Sequence, residues 1–209
     1  MPVVANPTSS IRVLWCGQSY NILPGGVKGT TSIPTVSMRA WPEIPYDVLP
    51  PAYGSMSWTT LFKMASQDWP WLAARTTRTV AVLNGGQQDL SGELDSGPKV
   101  ASDLSAYTSM LRSSYGVDKV IGVTVLRARS WSTAVNNNRV AFNSQILGSD
   151  AALYDGVADP ASDPRLDASV TPGNDAYFDA IGLHPTDAGG AIFATYVIPV
   201  LRTAIQSLL

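Results

Sequence analysis

Two short runs, Thr79-Val-Ala-Val-Leu83 and Lys119-Val-Ile-Gly-Val-Thr-Val-Leu126, are apolar with almost no alternation. Strands of that kind offer no face to water and must be covered on both sides. A third run, Ile11-Arg-Val-Leu-Trp-Cys16, is β-rich and stops at Gly17. Helical patterns lie between and after them: Trp58 to Ala65, Val100 to Leu111, Asn136 to Leu147, and Thr186 to Leu208 with Thr186 or Asp187 as its cap. In the second of these, Val100, Leu104, Tyr107, Met110 and Leu111 share one face. Strands alternating with helices predict an α/β fold, a parallel sheet of about five strands with helices on both faces. Val36–Trp41 and Ala151–Tyr154 are candidates for its remaining short strands. Pro42 to Pro51, with four prolines, reads as a loop. Asp155 to Asn174 reads as an ordered surface loop.

A chain of 209 residues, 45% hydrophobic, suffices for one full core and is short for two. With no internal repeat or linker, residues 1–209 read as a single domain. A net charge of -2 with 14% charged residues leaves no basic surplus for a phosphate backbone, so no nucleic-acid partner is expected. Cys16 is the one cysteine, which excludes an internal disulfide, and the single histidine excludes a Cys/His zinc cluster. The start of the chain has no signal-like apolar run, so a cytoplasmic or virion-associated protein is expected. No stretch reads as long and apolar enough to span a bilayer, so no membrane partner is expected and the chain reads as a soluble globular domain. Asp159, Asp163 and Asp167 are evenly spaced but lack the glycine and distal Glu of a calcium loop, and read as a solvated face. No metal is expected. No glycine-rich phosphate loop follows a strand, which disfavours a nucleotide- or flavin-binding protein.

Ligands of open parallel sheets bind past the carboxyl ends of the strands. The unusual residues fall there. Gly17-Gln18-Ser19 follows the first strand, Asn84-Gly-Gly-Gln-Gln88-Asp89 follows the run 79–83, and Gly182-Leu-His184-Pro185 precedes the last helix. His184 is the sole histidine, so any imidazole chemistry belongs to it. Ser19, on a tight turn, is a candidate nucleophile, and the Gln88 carboxamide a candidate donor to an oxyanion.

In this order and spacing the three segments resemble the SGNH (GDSL-like) hydrolases, and the resemblance runs from Ile11 to the end of the chain. It implies a three-layer α/β/α sandwich with a flavodoxin-like sheet. It also implies hydrolysis of esters, often acetyl groups on carbohydrate, or of lipids and acyl thioesters, and no cofactor. By that resemblance Ser19 matches the nucleophile and His184 the base. The Ser19 N–H, the Gly54 N–H and Gln88 match the oxyanion hole, with Gly25, Gly26 and Gly29 as alternatives to Gly54. Three positions depart from the family: Gln18 and Gln88 replace Asp and Asn, and Ile181 stands where the orienting Asp is usual. Asp179 is then the nearest upstream acid; the alternative is a backbone carbonyl holding the ring in a Ser–His dyad. Gly-Gln-Ser is similar to the opening of carbohydrate acetylesterases, though Tyr20 precedes Asn21. Tyr20, Trp58 and Trp131 are candidates to line a pocket for a small-molecule or glycan ester. The three departures also motivate a second reading, a glycan-recognising module assembled into a larger particle such as a phage virion.

Overall fold

The computed structural model describes residues 11–18, 47–49, 55–73 and 78–209. They form strands β1 (Ile11–Gly17), β2 (Asp47–Leu49), β3 (Arg78–Asn84), β4 (Lys119–Val123) and β5 (Gly156–Ala158). The helices are α1 (Trp58–Ala73), the short α2 (Gln87–Ser91), α3 (Gly97–Tyr115), α4 (Thr133–Leu147) and α5 (Asp187–Gln206). The strands make one sheet in the order β2-β1-β3-β4-β5. Every pairing is parallel. This is the flavodoxin-like order, whose direction of winding reverses between β1 and β3.

Alternation along the central strands builds two cores. Val13, Trp15, Val80, Val82, Ile121 and Val123 point to one face and pack on Phe193, Val197, Leu201 and Ile205 of α5. Leu14, Cys16, Ala81, Leu83 and Val120 point to the other and pack on Trp58, Leu104, Leu111 and Phe142 of α1, α3 and α4. The three layers therefore follow from strands that are apolar on both faces. Of the predicted α3 face, Val100, Leu104, Tyr107 and Leu111 are buried and Met110 packs at the margin.

Several local expectations are corrected. The proline-rich segment holds β2, which pairs Arg12 with Asp47 and Leu14 with Leu49. Pro45 and Pro50 flank its three residues and leave an edge strand undisturbed. Ala151–Leu153 is a 3-10 turn, not a strand, and its Leu153 is exposed. Pairing starts at Gly156, where a Cβ would come within 2.5 Å of Val200 on α5. β4 ends at Val123, because Asn143 takes the next backbone positions: the Val125 N–H donates to Asn143 Oδ1 at 2.9 Å, and Asn143 Nδ2 donates to Val125 O at 3.0 Å. The Asp155–Asn174 stretch contains β5 and two 3-10 turns. Its three aspartates do not form a solvated face. Asp163 is buried and accepts from Arg165 and Tyr196, Asp159 accepts from Thr124, and Asp167 accepts from Ser169. The segment Val36–Trp41 lies outside the described residues.

The last helix is capped by Thr186, whose Oγ1 accepts from the Gly189 N–H at 3.3 Å. Contrary to the sequence expectation, α5 is long and apolar enough to cross a membrane by length and composition. Its apolar side chains are committed to the sheet, which accounts for that composition. Phe193 is fully buried there. Phe193→Ala is expected to lower the unfolding free energy by about 3–5 kcal/mol, read as a lower urea midpoint at unchanged slope.

Candidate active site

β1 and β3 run side by side from Ile11↔Arg78 to Gly17↔Asn84, so both carboxyl ends open at the winding reversal. The Gln18 N–H continues the ladder to Asn84 O at 3.4 Å. Beyond it, side chains take over. Gln18 is buried; its Nε2 donates to Asp89 Oδ2 at 2.9 Å, and its Oε1 accepts the Gln88 N–H at 3.0 Å. Asp89 Oδ1 accepts the Trp58 N–H at 2.9 Å. One carboxylate and one carboxamide thus tie the turn after β1 to the start of α1 and to α2. Gly86, at φ 115, makes the left-handed turn that starts α2. Burial pushes the Asp89 carboxyl up to about 6, against the lowering effect of the N–H donors from Trp58 and Gln18.

His184 is held from the far end of the chain. Asp179 Oδ2 lies 3.0 Å from His184 Nδ1, and Asp179 Oδ1 accepts the Leu183 N–H at 2.8 Å. The intervening residues form a closed loop. The Asp179 N–H donates to His184 O at 2.8 Å, and the Gly182 N–H donates to Asp179 O at 2.8 Å. Gly182 has φ 66, a conformation that favours glycine and reverses the chain in two residues. The loop projects Ile181 outward, 64% exposed, and turns Asp179 inward to the ring. With Nδ1–H paired to a carboxylate, Nε2 is the ring nitrogen whose lone pair can take a proton.

The remaining sequence candidates separate. Ser19, Tyr20 and Gly54 lie outside the described residues, as do Gly25, Gly26 and Gly29. Gln88 sits in the first turn of α2, and its carboxamide rests on Gly92, where a Cβ would meet Nε2 at 2.0 Å. The expectation that Trp58 lines a pocket is corrected. It is fully buried, with its ring tilted 45° against Tyr107 at 5.4 Å between centroids and packed under Gly85. As the first residue of α1, with its N–H on Asp89, it is drawn into the core. Trp131 is half-buried on the margin of the same core. Cys16 is buried and burial pushes its thiol well up, which disqualifies it as a thiolate nucleophile. Among the described residues, Asp89, Asp95 and Asp103 lie close enough to share a cation, but Lys99 already pairs with Asp103 and Asp89 is engaged by N–H donors.

Sequence reasoning missed Arg129. Its N–H donates to Gly182 O at 2.9 Å, and its guanidinium reaches Asp175 and Ala180 O. The pair Arg127-Ala-Arg129 on the loop after β4 was the visible signal. It also missed the Gln18–Asp89 link, for which the buried-type runs ending in an amide and an acid were the clue.

The sheet order and winding reversal belong to a fold that this chain shares with solved structures of GDSL-like hydrolases. The chain is similar to a lipolytic protein of the G-D-S-L family from Veillonella parvula DSM 2008, with a TM-score of 0.71 at 14% identity over 92% of this chain and 98% of that one. It is similar to a lipase/acylhydrolase from Enterococcus faecalis, with a TM-score of 0.67 at 16% identity over 92% and 95% of the two chains. It is also similar to the psychrotrophic esterase from Pseudoalteromonas sp. inhibited by monoethylphosphonate, with a TM-score of 0.68 at 9% identity over 93% and 98%. No protein-family model and no curated protein matches the sequence.

The buried Asp89 makes stability depend on pH. Its carboxyl titrates at about 6 in the folded protein, above its ordinary 3.8, so the favourable contribution is complete below pH 3.8 and is lost as pH rises through 6. Wild type minus Asp89→Asn is therefore expected to fall by about 2 kcal/mol in unfolding free energy between pH 4 and pH 7. Urea melts of the two proteins across that range would check it; a flat difference would place the carboxyl at its ordinary value.

Proposed function

We propose that the protein is a serine ester hydrolase. The observation that carries this reading is the carboxylate–imidazole pair of Asp179 and His184, built by a loop that replaces the family's three-residue spacing with one of five. Supporting it are the fold shared with lipases, esterases and acylhydrolases and the opening of β1 and β3 at the winding reversal.

In the proposed reaction the Ser19 hydroxyl attacks the ester carbonyl carbon while His184 Nε2 takes its proton. Asp179 holds the ring in the Nδ1–H tautomer and offsets the positive charge that then develops. Backbone N–H groups of Ser19 and Gly54, with the Gln88 carboxamide, are the proposed donors to the oxyanion. Collapse breaks the bond to the alcohol oxygen, which leaves with the proton from His184. A water, deprotonated by His184, then attacks the acyl-enzyme and releases the acid. No metal or cofactor enters any step.

The proposed substrate class is an O-acetyl ester on carbohydrate, a reading that rests on the Gly17-Gln18-Ser19 opening. The second reading, a glycan-binding module of a larger particle, retains Gln18 and Gln88 as its motive. A fluorophosphonate probe separates the two, because only an activated serine is phosphonylated. The esterase reading expects stoichiometric labelling at Ser19, abolished in His184→Ala.

On 4-nitrophenyl acetate, Ser19→Ala and His184→Ala are each expected to lower kcat/KM by about 10³-fold or more. Full activity in Ser19→Ala would end the assignment. Asp179→Asn can still accept the Leu183 N–H, but presents an NH₂ to His184 Nδ1 and so favours the wrong tautomer. It is expected to lower kcat by about 10²–10⁴-fold with the fold intact. A loss below threefold would instead favour a Ser–His dyad.

A further inference from the structure

We propose that Arg129 is a positioning residue for the Asp179–His184 pair, a role that rests on the esterase reading. The loop bearing that pair is long for its task. Asp179 stands five residues before His184, and the segment between them carries the exposed Ile181. Its internal hydrogen bonds close the loop on itself but do not fix it to the sheet. Arg129 supplies that attachment from the loop after β4.

Its backbone N–H donates to Gly182 O at 2.9 Å, its Nη1 to Ala180 O at 3.3 Å and its Nε to Ala168 O at 3.4 Å, while Nη2 pairs with Asp175. Ala180 directly follows Asp179, and Gly182 closes the turn on Asp179 O. Packing adds to the donors: a Cβ at Gly182 would meet Arg129 Cβ at 2.5 Å and Nε at 2.9 Å. The chain passes the arginine at the point where its φ turns positive. The segment bearing Arg129 is anchored two residues earlier, where the Ala168 N–H donates to Arg127 O at 3.2 Å. The ion pair with Asp175 is half exposed and contributes little through its charge alone. What the guanidinium contributes is a planar fork that holds several acceptors at fixed angles, which an ammonium does not.

A group that acts through geometry is distinguished from one that acts through charge by the histidine it positions. Loss of the carboxylate contact lets the ring shift to the Nε2–H tautomer, whereas loss of a nearby charge alone leaves the Nδ1–H tautomer in place. His184 is the only imidazole in the chain, so ¹⁵N NMR of the intact protein reads its tautomer from one pair of ring signals. Arg129→Lys keeps the charge and removes the fork. Arg129→Met keeps the apolar stem and removes both. Asp179→Asn provides the reference for a lost carboxylate.

The expected result is a rise in the Nε2–H tautomer of His184 in Arg129→Met, toward the Asp179→Asn value, and a smaller rise in Arg129→Lys. On 4-nitrophenyl acetate, kcat of Arg129→Met is expected to drop about 10- to 100-fold with KM changed less than about threefold. If wild type hydrolyses no ester, the esterase reading falls and the NMR tautomer still decides the positioning role. If Arg129→Met does not fold, Arg129→Lys decides it alone. A His184 tautomer unchanged in Arg129→Lys or in Arg129→Met would overturn the proposal.

Discussion

The parallel ladder between β1 and β3 is the constraint from which the rest of the molecule follows. Its seven pairs run from Ile11↔Arg78 to Gly17↔Asn84, and every member but Arg78 is buried. Odd-numbered side chains of β1 serve the α5 layer and even-numbered ones the opposite layer. A slip of one residue would send Trp15 and Leu14 into each other's layers, so the register is fixed by volume as well as by hydrogen bonds. The two carboxyl ends are thereby brought level. Gln18 and Asp89 then extend the alignment one residue past the last ladder bond, where backbone pairing has stopped.

Much of this was legible because two-sided burial leaves a mark in the sequence. Thr79–Leu83 and Lys119–Leu126 could only be inner strands, and the helix faces between them gave the layers. Asp47–Leu49 and Gly156–Ala158 were not legible. A three-residue edge strand has a neighbour on one side and needs no apolar run, and prolines bounding β2 looked like loop punctuation. Trp58 and Trp131 show the same limit for side chains. Both follow polar turns, and nothing local says that one donates its N–H to a buried carboxylate and is pulled under Gly85, while the other stays at the margin.

The acid partner of His184 was half legible. Asp179 is the nearest carboxylate upstream, but the closure that brings it to the ring comes from the Asp179–His184 backbone bond and the positive φ at Gly182. Neither leaves a periodic signal. Arg129 was invisible for a related reason. It acts from a segment fifty residues earlier in the chain, on backbone carbonyls whose residue types carry no information about it. Ser19, Tyr20 and Gly54 stay expectations of the sequence, outside the described residues.

The departures from the family pattern acquire a physical account when their neighbours are considered. Gln18 must accept the Gln88 N–H and donate to Asp89. A carboxamide meets both demands at once, and a carboxylate cannot. An Asp at position 18 would bring a second negative charge toward a carboxylate that burial already makes costly to ionise. Gln88 carries one methylene more than Asn, and Gly92 leaves the space on which its carboxamide lies. Ile181 removes the usual acid, and Asp179 stands at the ring instead. Each exchange is thus matched by a second residue that restores hydrogen bonding or volume. Random loss of a site removes donors and acceptors one at a time and leaves buried polar groups unpaired, at about 1–3 kcal/mol each. At Gln18, Asp89 and Asp179 the opposite is found, with every side-chain oxygen engaged by an N–H partner. That pattern supports the proposed ester hydrolase, and it weakens the inference from an altered motif to an inert fold.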